Sequence, residues 1–331
     1  MVRGAWSWLE PSEWDRIVAA SPAATGFHGR GWLEAMAAWQ PRFEARALGL
    51  ALADGARVAL PMLVRRGALR RGPFGRGVSS HPSTYGGPVC AERLLTAVDW
   101  SAVLEALARA PLGRIDCFGN PLQPLPPEAE SRLGVREGET HVIELDSLAI
   151  PAREGYPPAC RRAVRKAERE GVTLARASEP GEVGEYHAIH RESVERWGQA
   201  AEQALPLGVL ERLVRVAGVE LWCARGPDRR LAAGGLFLFA RAHVVYWHGA
   251  MRGELAGLRP ANLMHDALIE EARRRGARLY DFNPSAGLEG VRGFKESFGA
   301  RPLRFAIWRH RHPWLGILGR GRRCGLTAPR R

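Results

Sequence analysis

Lysine is nearly missing from this chain: Lys166 and Lys295 are the two lysines among 48 basic residues, and the remaining 46 are arginine. Arginine serves wherever plain positive charge suffices, so a surviving lysine marks a position where a compact three-donor ammonium with a movable pKa is useful. Long apolar runs are also absent. No stretch approaches the roughly 20 apolar residues needed to span a bilayer, and the opening Met1-Val2-Arg3-Gly4-Ala5-Trp6-Ser7-Trp8 lacks the apolar core of a signal peptide. The five cysteines, at 90, 117, 160, 223 and 324, are odd in number and form no C-x-x-C pair. That argues against a disulfide framework or a zinc site and for a reducing, cytoplasmic setting. Acidic residues are outnumbered, 35 against 48, for a net charge of +13. Such a field attracts anions: nucleotide-linked substrates, nucleic acid, or the acidic inner face of a membrane, where a peripheral contact is expected.

What is present is a globular chain of 331 residues, 46% hydrophobic and 25% charged, long enough for two cores. The first half reads as a short Trp-rich strand, helices at 11–20 and 29–39, a hairpin of strands 43–53 and 57–64 about Asp54-Gly55, and a Gly/Pro/Ser/Arg-rich loop with short strand at 65–88. A helix at 92–110 and strands at 114–118 and 141–145 follow. The second half repeats the order: a basic helix at 158–170 closed by Gly171, strand 172–177, helices 184–197 and 207–217, and an antiparallel meander of strands 219–224, 230–239 and 243–250. A proline-started helix at 260–274 then leads into strand 278–282. The expected fold is α/β (α+β), with tandem acetyltransferase-like lobes whose mixed, mostly antiparallel sheets are flanked by helices. The lobes are expected at 1–147 and 148–315, the second carrying the chemistry, with a basic tail at 316–331.

Three groups of residues could carry chemistry. Phe294 and Phe298 lie four apart and anchor one face of a short helix, leaving Lys295 as a fixed cation or a surface lysine. Arg161, Arg162, Arg165 and Lys166 pair one turn apart into a double cationic row, suited to phosphates or simply solvated. Tyr246 and His248 alternate with Trp247 and so are expected on one sheet face near Asp281, with His248 as a base for an acceptor amine or a structural residue. His187 and His190 are three apart and read as exposed helix residues, so no metal is expected.

The segments Leu279-Tyr280-Asp281-Phe282-Asn283 and Gly290-Val291-Arg292-Gly293-Phe294-Lys295-Glu296-Ser297-Phe298-Gly299-Ala300 resemble the FemAB-like peptidoglycan aminoacyltransferases and their acetyltransferase-like (GNAT) relatives. So do Tyr246-Trp247-His248-Gly249-Ala250, the basic helix from Arg161 to Glu168, and Ser83-Thr84-Tyr85-Gly86-Gly87-Pro88. The resemblance implies an acyl- or aminoacyltransferase forming an amide on an amine of a phosphate-bearing cell-wall or surface-glycan precursor. It implies Lys295 as a catalytic or donor-binding residue and the row Arg161, Arg162, Arg165 and Lys166 as the grip on the acceptor's diphosphate. Beside these, His248 and Asp281 are expected as catalytic residues, Asp281 positioning the amine or merely bonding backbone, and Tyr85, Tyr246 and Phe294 as substrate-binding residues.

No tightly bound cofactor is expected, and the acyl donor is either aminoacyl-tRNA or acyl-coenzyme A. Coenzyme A enzymes carry a Q/R-x-x-G-x-G/A turn whose amides cradle the pyrophosphate. Residues 252–262, Arg-Gly-Glu-Leu-Ala-Gly-Leu-Arg-Pro-Ala-Asn, lack that spacing, and Pro260 removes an N–H. The family's tRNA users carry a long charged coiled-coil arm, which is missing here too. Two other readings stay open: a coenzyme A-dependent N-acyltransferase acting on another amine, and a non-enzymatic RNA-binding protein. Any nucleic-acid partner is expected to be tRNA and not DNA, although no ordered binding motif is present.

Overall fold

The computed structural model describes residues 5–66, 72–79, 84–196, 198, 204–285 and 287–312. The expected tail at 316–331, and Ser83 of the Tyr85 loop, lie outside the described residues.

In chain order the strands are β1 (Ser7–Trp8), β2 (Phe43–Ala51), β3 (Arg57–Arg65), β4 (Gly72–Ser79), β5 (Val89–Cys90), β6 (Leu112–Phe118), β7 (Arg136–Glu144), β8 (Thr173–Arg176), β9 (Val219–Arg225), β10 (Leu231–Phe239), β11 (His243–Met251), β12 (Leu279–Asp281) and β13 (Arg301–Arg311). The helices are α1 (Pro11–Ala20), α2 (Arg30–Trp39), α3 (Ala97–Leu107), α4 (Pro127–Arg132), α5 (Pro158–Arg169), α6 (Pro180–Arg196), α7 (Leu207–Leu213), α8 (Pro260–Arg274) and α9 (Glu289–Glu296). One 13-stranded sheet runs β1-β2-β3-β4-β6-β13-β7-β12-β11-β10-β9-β8, with β5 beside β3. The sheet is mixed and mostly antiparallel, as expected.

Local chemistry explains most boundaries. Asp54 accepts the N–H of Ala56, and Gly55 has φ of 89°, so the β2–β3 hairpin closes where Asp-Gly predicts. The helix expected from residue 92 starts at Ala97, because Thr96 and Asp99 form a reciprocal capping box that satisfies first-turn N–H groups. β13 has no counterpart in the sequence reading. Its last strand residues hydrogen-bond β6 on one side while its first pair with β7, which makes the sheet continuous across the expected 147/148 boundary.

Helices α1, α2, α6 and α7 cover one face and share a core that includes Trp14, Trp32, Met36, Tyr186, Leu210 and Phe305. On the opposite face, α3 and α4 cover the first-half strands through Trp100, Val103 and Ala129. There α5 and α8 cover the second-half strands through Val164, Leu268 and Ile269. The free cysteines 90, 117, 160 and 223 are buried. No helix among the described residues is long and apolar enough to cross a membrane.

Candidate active site

β11 and β12 are parallel, yet they pair only from His243–Val245 to Leu279–Asp281. Beyond that point β11 continues to Met251, while the chain after Asp281 turns away. Residues 246–249 of β11 are left partly exposed along the resulting gap. The turn is held by Asp281. Its fully buried carboxylate accepts from the Thr140 hydroxyl of β7 (2.6 Å), the Asn283 backbone N–H (2.7 Å) and, at 3.1 Å, pairs with His243 Nε2. Asn283 has φ of 63°, a left-handed conformation that asparagine tolerates better than most residues. Its side-chain amide donates to the Trp247 carbonyl at 3.3 Å, which bridges the two diverging strands.

Lys295 of α9 comes to the same turn. Its Nζ donates to the Asn283 carbonyl at 2.5 Å, and the side chain is only 3% exposed. Burial pulls its pKa down to about 8, although the Asp281 carboxylate pushes the other way. Phe294 and Phe298 pack edge-to-face at 5.4 Å and fix α9 against the core, as their spacing implies. Tyr85 reaches the site from the first half, fully buried between Phe27, Phe305 and His243. Burial, with the Asp281 charge adding, raises its pKa well above the ordinary value.

The expected shared face of Tyr246 and His248 is not found. Leu236 opposes His248 while the next residue, Phe237, opposes Tyr246, so Trp247 is an extra residue in a β-bulge. The bulge turns the two side chains to opposite faces. Tyr246 packs on His265 of α8 at 4.5 Å, and its hydroxyl lies where a Cβ on Gly249 would sit, so only glycine fits there. His248 instead meets α6, with Nδ1 2.5 Å from the Tyr186 hydroxyl and its ring 4.1 Å from that of His190. Burial and the neighbouring His190 hold the His248 pKa well below its usual value, so the imidazole is neutral and weakly basic. His190 is a further correction: it is 3% exposed, and its Nε2 accepts from the Leu205 N–H because α7 closes over α6.

The α5 cations stand apart from this turn. Cys160 and Val164 place α5 in the core containing Tyr280 and Phe282, on the sheet face opposite Tyr85. Arg162 and Arg165 are exposed, whereas Arg161 and Lys166 are half-buried, Arg161 bonding the Glu154 carbonyl. Sequence reasoning missed Thr140, His243 and Asn283 as the supports of Asp281. It also missed His265, which bonds the Tyr280 hydroxyl at 2.6 Å and whose pKa burial lowers to about 3. Only Asn283, a residue tolerant of positive φ just past a strand, carried a local signal.

Residues 159–296, from α5 through Lys295, match the family model described as acetyltransferase (GNAT) domain. The chain is an acyltransferase of the GNAT fold. No curated protein matches it in sequence. FemX is similar in fold, with a TM-score of 0.67 at 15% identity, covering 92% of this chain and 97% of that one. The C-terminal domain of a putative lysylphosphatidylglycerol synthetase from Agrobacterium fabrum has a TM-score of 0.57 at 11% identity, covering 93% and 94%. A conserved protein of unknown function from Bacteroides thetaiotaomicron has a TM-score of 0.54 at 11% identity, covering 93% and 100%.

In this acyltransferase the segment between β11 and α8 is a 3-10 turn from Gly253 to Leu258, ended by Arg259 at φ of 60°. The N–H groups of Leu255, Arg259 and Asn262 bond carbonyls of the same segment, and Pro260 contributes none.

Proposed function

We propose that the chain joins an aminoacyl or acyl group to an amine of a phosphate-bearing cell-wall or surface-glycan precursor, with the second lobe, residues 148–315, bearing the chemistry. The observation that carries this reading is Lys295, a buried cation at the gap between β11 and β12. The amine nitrogen attacks the carbonyl carbon of an activated ester or thioester, giving a tetrahedral oxyanion. Collapse breaks the carbon–oxygen or carbon–sulfur bond, and the leaving group takes up the proton the amine releases, through solvent. The Lys295 ammonium serves as the oxyanion donor, a contribution of roughly 3–4 kcal/mol in comparable sites.

Asp281 acts through Asn283. With its lone pairs engaged by Thr140, His243 and the Asn283 N–H, it fixes the carbonyl that aims Nζ. Tyr246 and Phe294 line the approach to this turn, Tyr85 backs it from within against His243, and His248 supports β11 through Tyr186. The α5 row supplies an exposed field that draws in polyanions. The turn at 253–258 favours aminoacyl-tRNA over acyl-coenzyme A, which remains the second reading because the GNAT fold commonly takes it. Purified protein is to be offered charged tRNA and acyl-coenzyme A separately, with amine acceptors, and products read by mass spectrometry. Transfer from tRNA, with binding that weakens steeply in salt, supports the preference, and turnover from coenzyme A alone overturns it.

A further inference from the structure

A second anionic ligand is indicated on the sheet face that carries Tyr85, at the first-half end of β13. Arg76 of β4, Arg114 of β6 and Arg311 of β13 stand directly opposite one another on three adjacent strands. Like charges in such register destabilise a sheet unless something negative sits among them. In the neighbouring row Asp116 opposes Arg309. Asp116 accepts from Arg76 at 3.2 Å, from Arg114 at 2.8 and 3.0 Å, and from Arg309. One carboxylate thus meets three guanidinium groups. Arg311, and Arg136 of β7 opposite Ile307, make no ion pair among the described residues. The Arg76 pKa falls below the usual arginine value, through burial and the repulsion of Arg114, as expected where positive charge is in excess.

This face opens into a cavity of about 300 Å³ lined by Asp116, Phe118, Arg136, Ile307 and Arg309. Along β13 the same face leads from Phe305, which touches Tyr85 at 5.3 Å, to Arg309. Four strand residues span about 13 Å, the reach of a small-molecule substrate.

We propose that the arginine face of β4, β6 and β13 binds the phosphoryl or diphosphoryl group of a ligand that lies along this face of β13. Planar arginine forks match phosphate oxygens two at a time, and the Arg76-Arg114-Arg311 row offers several forks in line. The site is separate from the α5 row and does not depend on which acyl donor is used.

The test is calorimetric titration of the full-length protein with inorganic pyrophosphate at low salt, with cosedimentation on phosphatidylglycerol vesicles as a second arm. Arg136→Gln with Arg311→Gln removes two groups that make no ion pair among the described residues, and it is expected to weaken pyrophosphate binding at least tenfold. Arg274→Gln on α8, an exposed arginine outside both cationic rows, should leave that affinity unchanged. Asp116→Asn separates the proposal from a purely structural cluster: loss of the competing carboxylate should tighten pyrophosphate binding, while a structural role predicts lower stability and no gain. If the vesicles bind and pyrophosphate does not, with the same dependence on Arg136 and Arg311, the phosphoryl group belongs to a lipid. No binding of either probe, or binding indifferent to Arg136 and Arg311, overturns the proposal.

Discussion

Asp281 accepts the backbone N–H of Asn283, two residues on, and thereby holds a left-handed turn whose carbonyl receives Nζ of Lys295. The acid therefore acts on the lysine through backbone geometry as well as charge. Asp281→Asn keeps the shape but replaces one acceptor oxygen with a donor facing Thr140, Asn283 N–H or His243. A buried mismatch of this kind costs about 1–3 kcal/mol. The expected result is a lower urea midpoint at unchanged m-value, with kcat reduced and KM nearly unchanged.

His248→Gln should reduce kcat by less than tenfold. Its Nδ1 is engaged by Tyr186, and its depressed pKa makes it a weak proton acceptor at neutral pH. Steady-state kinetics decide this, and a loss of about 10³ would restore His248 as the base.

Lys166→Glu with Arg162→Glu should raise KM for the polyanionic substrate more than it lowers kcat. Exposed cations that attract remote phosphates act alike on ground and transition states. Unchanged KM across a salt series would show that the α5 face is merely solvated.

The pH dependence follows from Lys295. Its folded pKa is about 8, against roughly 10.4 for a free lysine. Between those values the unfolded chain holds a proton the folded chain has lost, so this group makes stability rise with pH across the window. Below pH 8 its burial penalty is fully present. Lys295→Met should remove this slope from urea titrations at pH 7 to 10. Catalysis by the cation runs the other way: activity should decline as pH rises through about 8, and Lys295→Arg should lack that decline.

Much of the fold was legible because its signals are local. Asp54-Gly55 fixed a hairpin, Pro260 and Gly276 bracketed α8, and Gly171 closed α5. β13 was not legible, since Arg301-Pro302-Leu303-Arg304-Phe305-Ala306-Ile307-Trp308-Arg309-His310-Arg311 is arginine-rich and its partners β6 and β7 are distant in sequence. Strand alternation also misplaced Tyr246 against His248, because one inserted residue at Trp247 reverses the face of everything after it. Lys295 stood out through the scarcity of lysine. Its support from Thr140 and His243 depends on β7 and β11 flanking β12, a pairing that local sequence does not encode.

Lys295→Met tests the central claim most directly, because it keeps side-chain length and deletes the charge. Once the donor and acceptor are in hand, kcat is to be measured for wild type, Lys295→Met and Lys295→Arg, with folding checked by circular dichroism and thermal melting. The account predicts an intact fold in the Met variant, kcat lower by about 10² or more, and poor rescue by arginine, whose wide planar fork does not fit the place of a compact ammonium. Wild-type kcat in a folded Lys295→Met protein would contradict it.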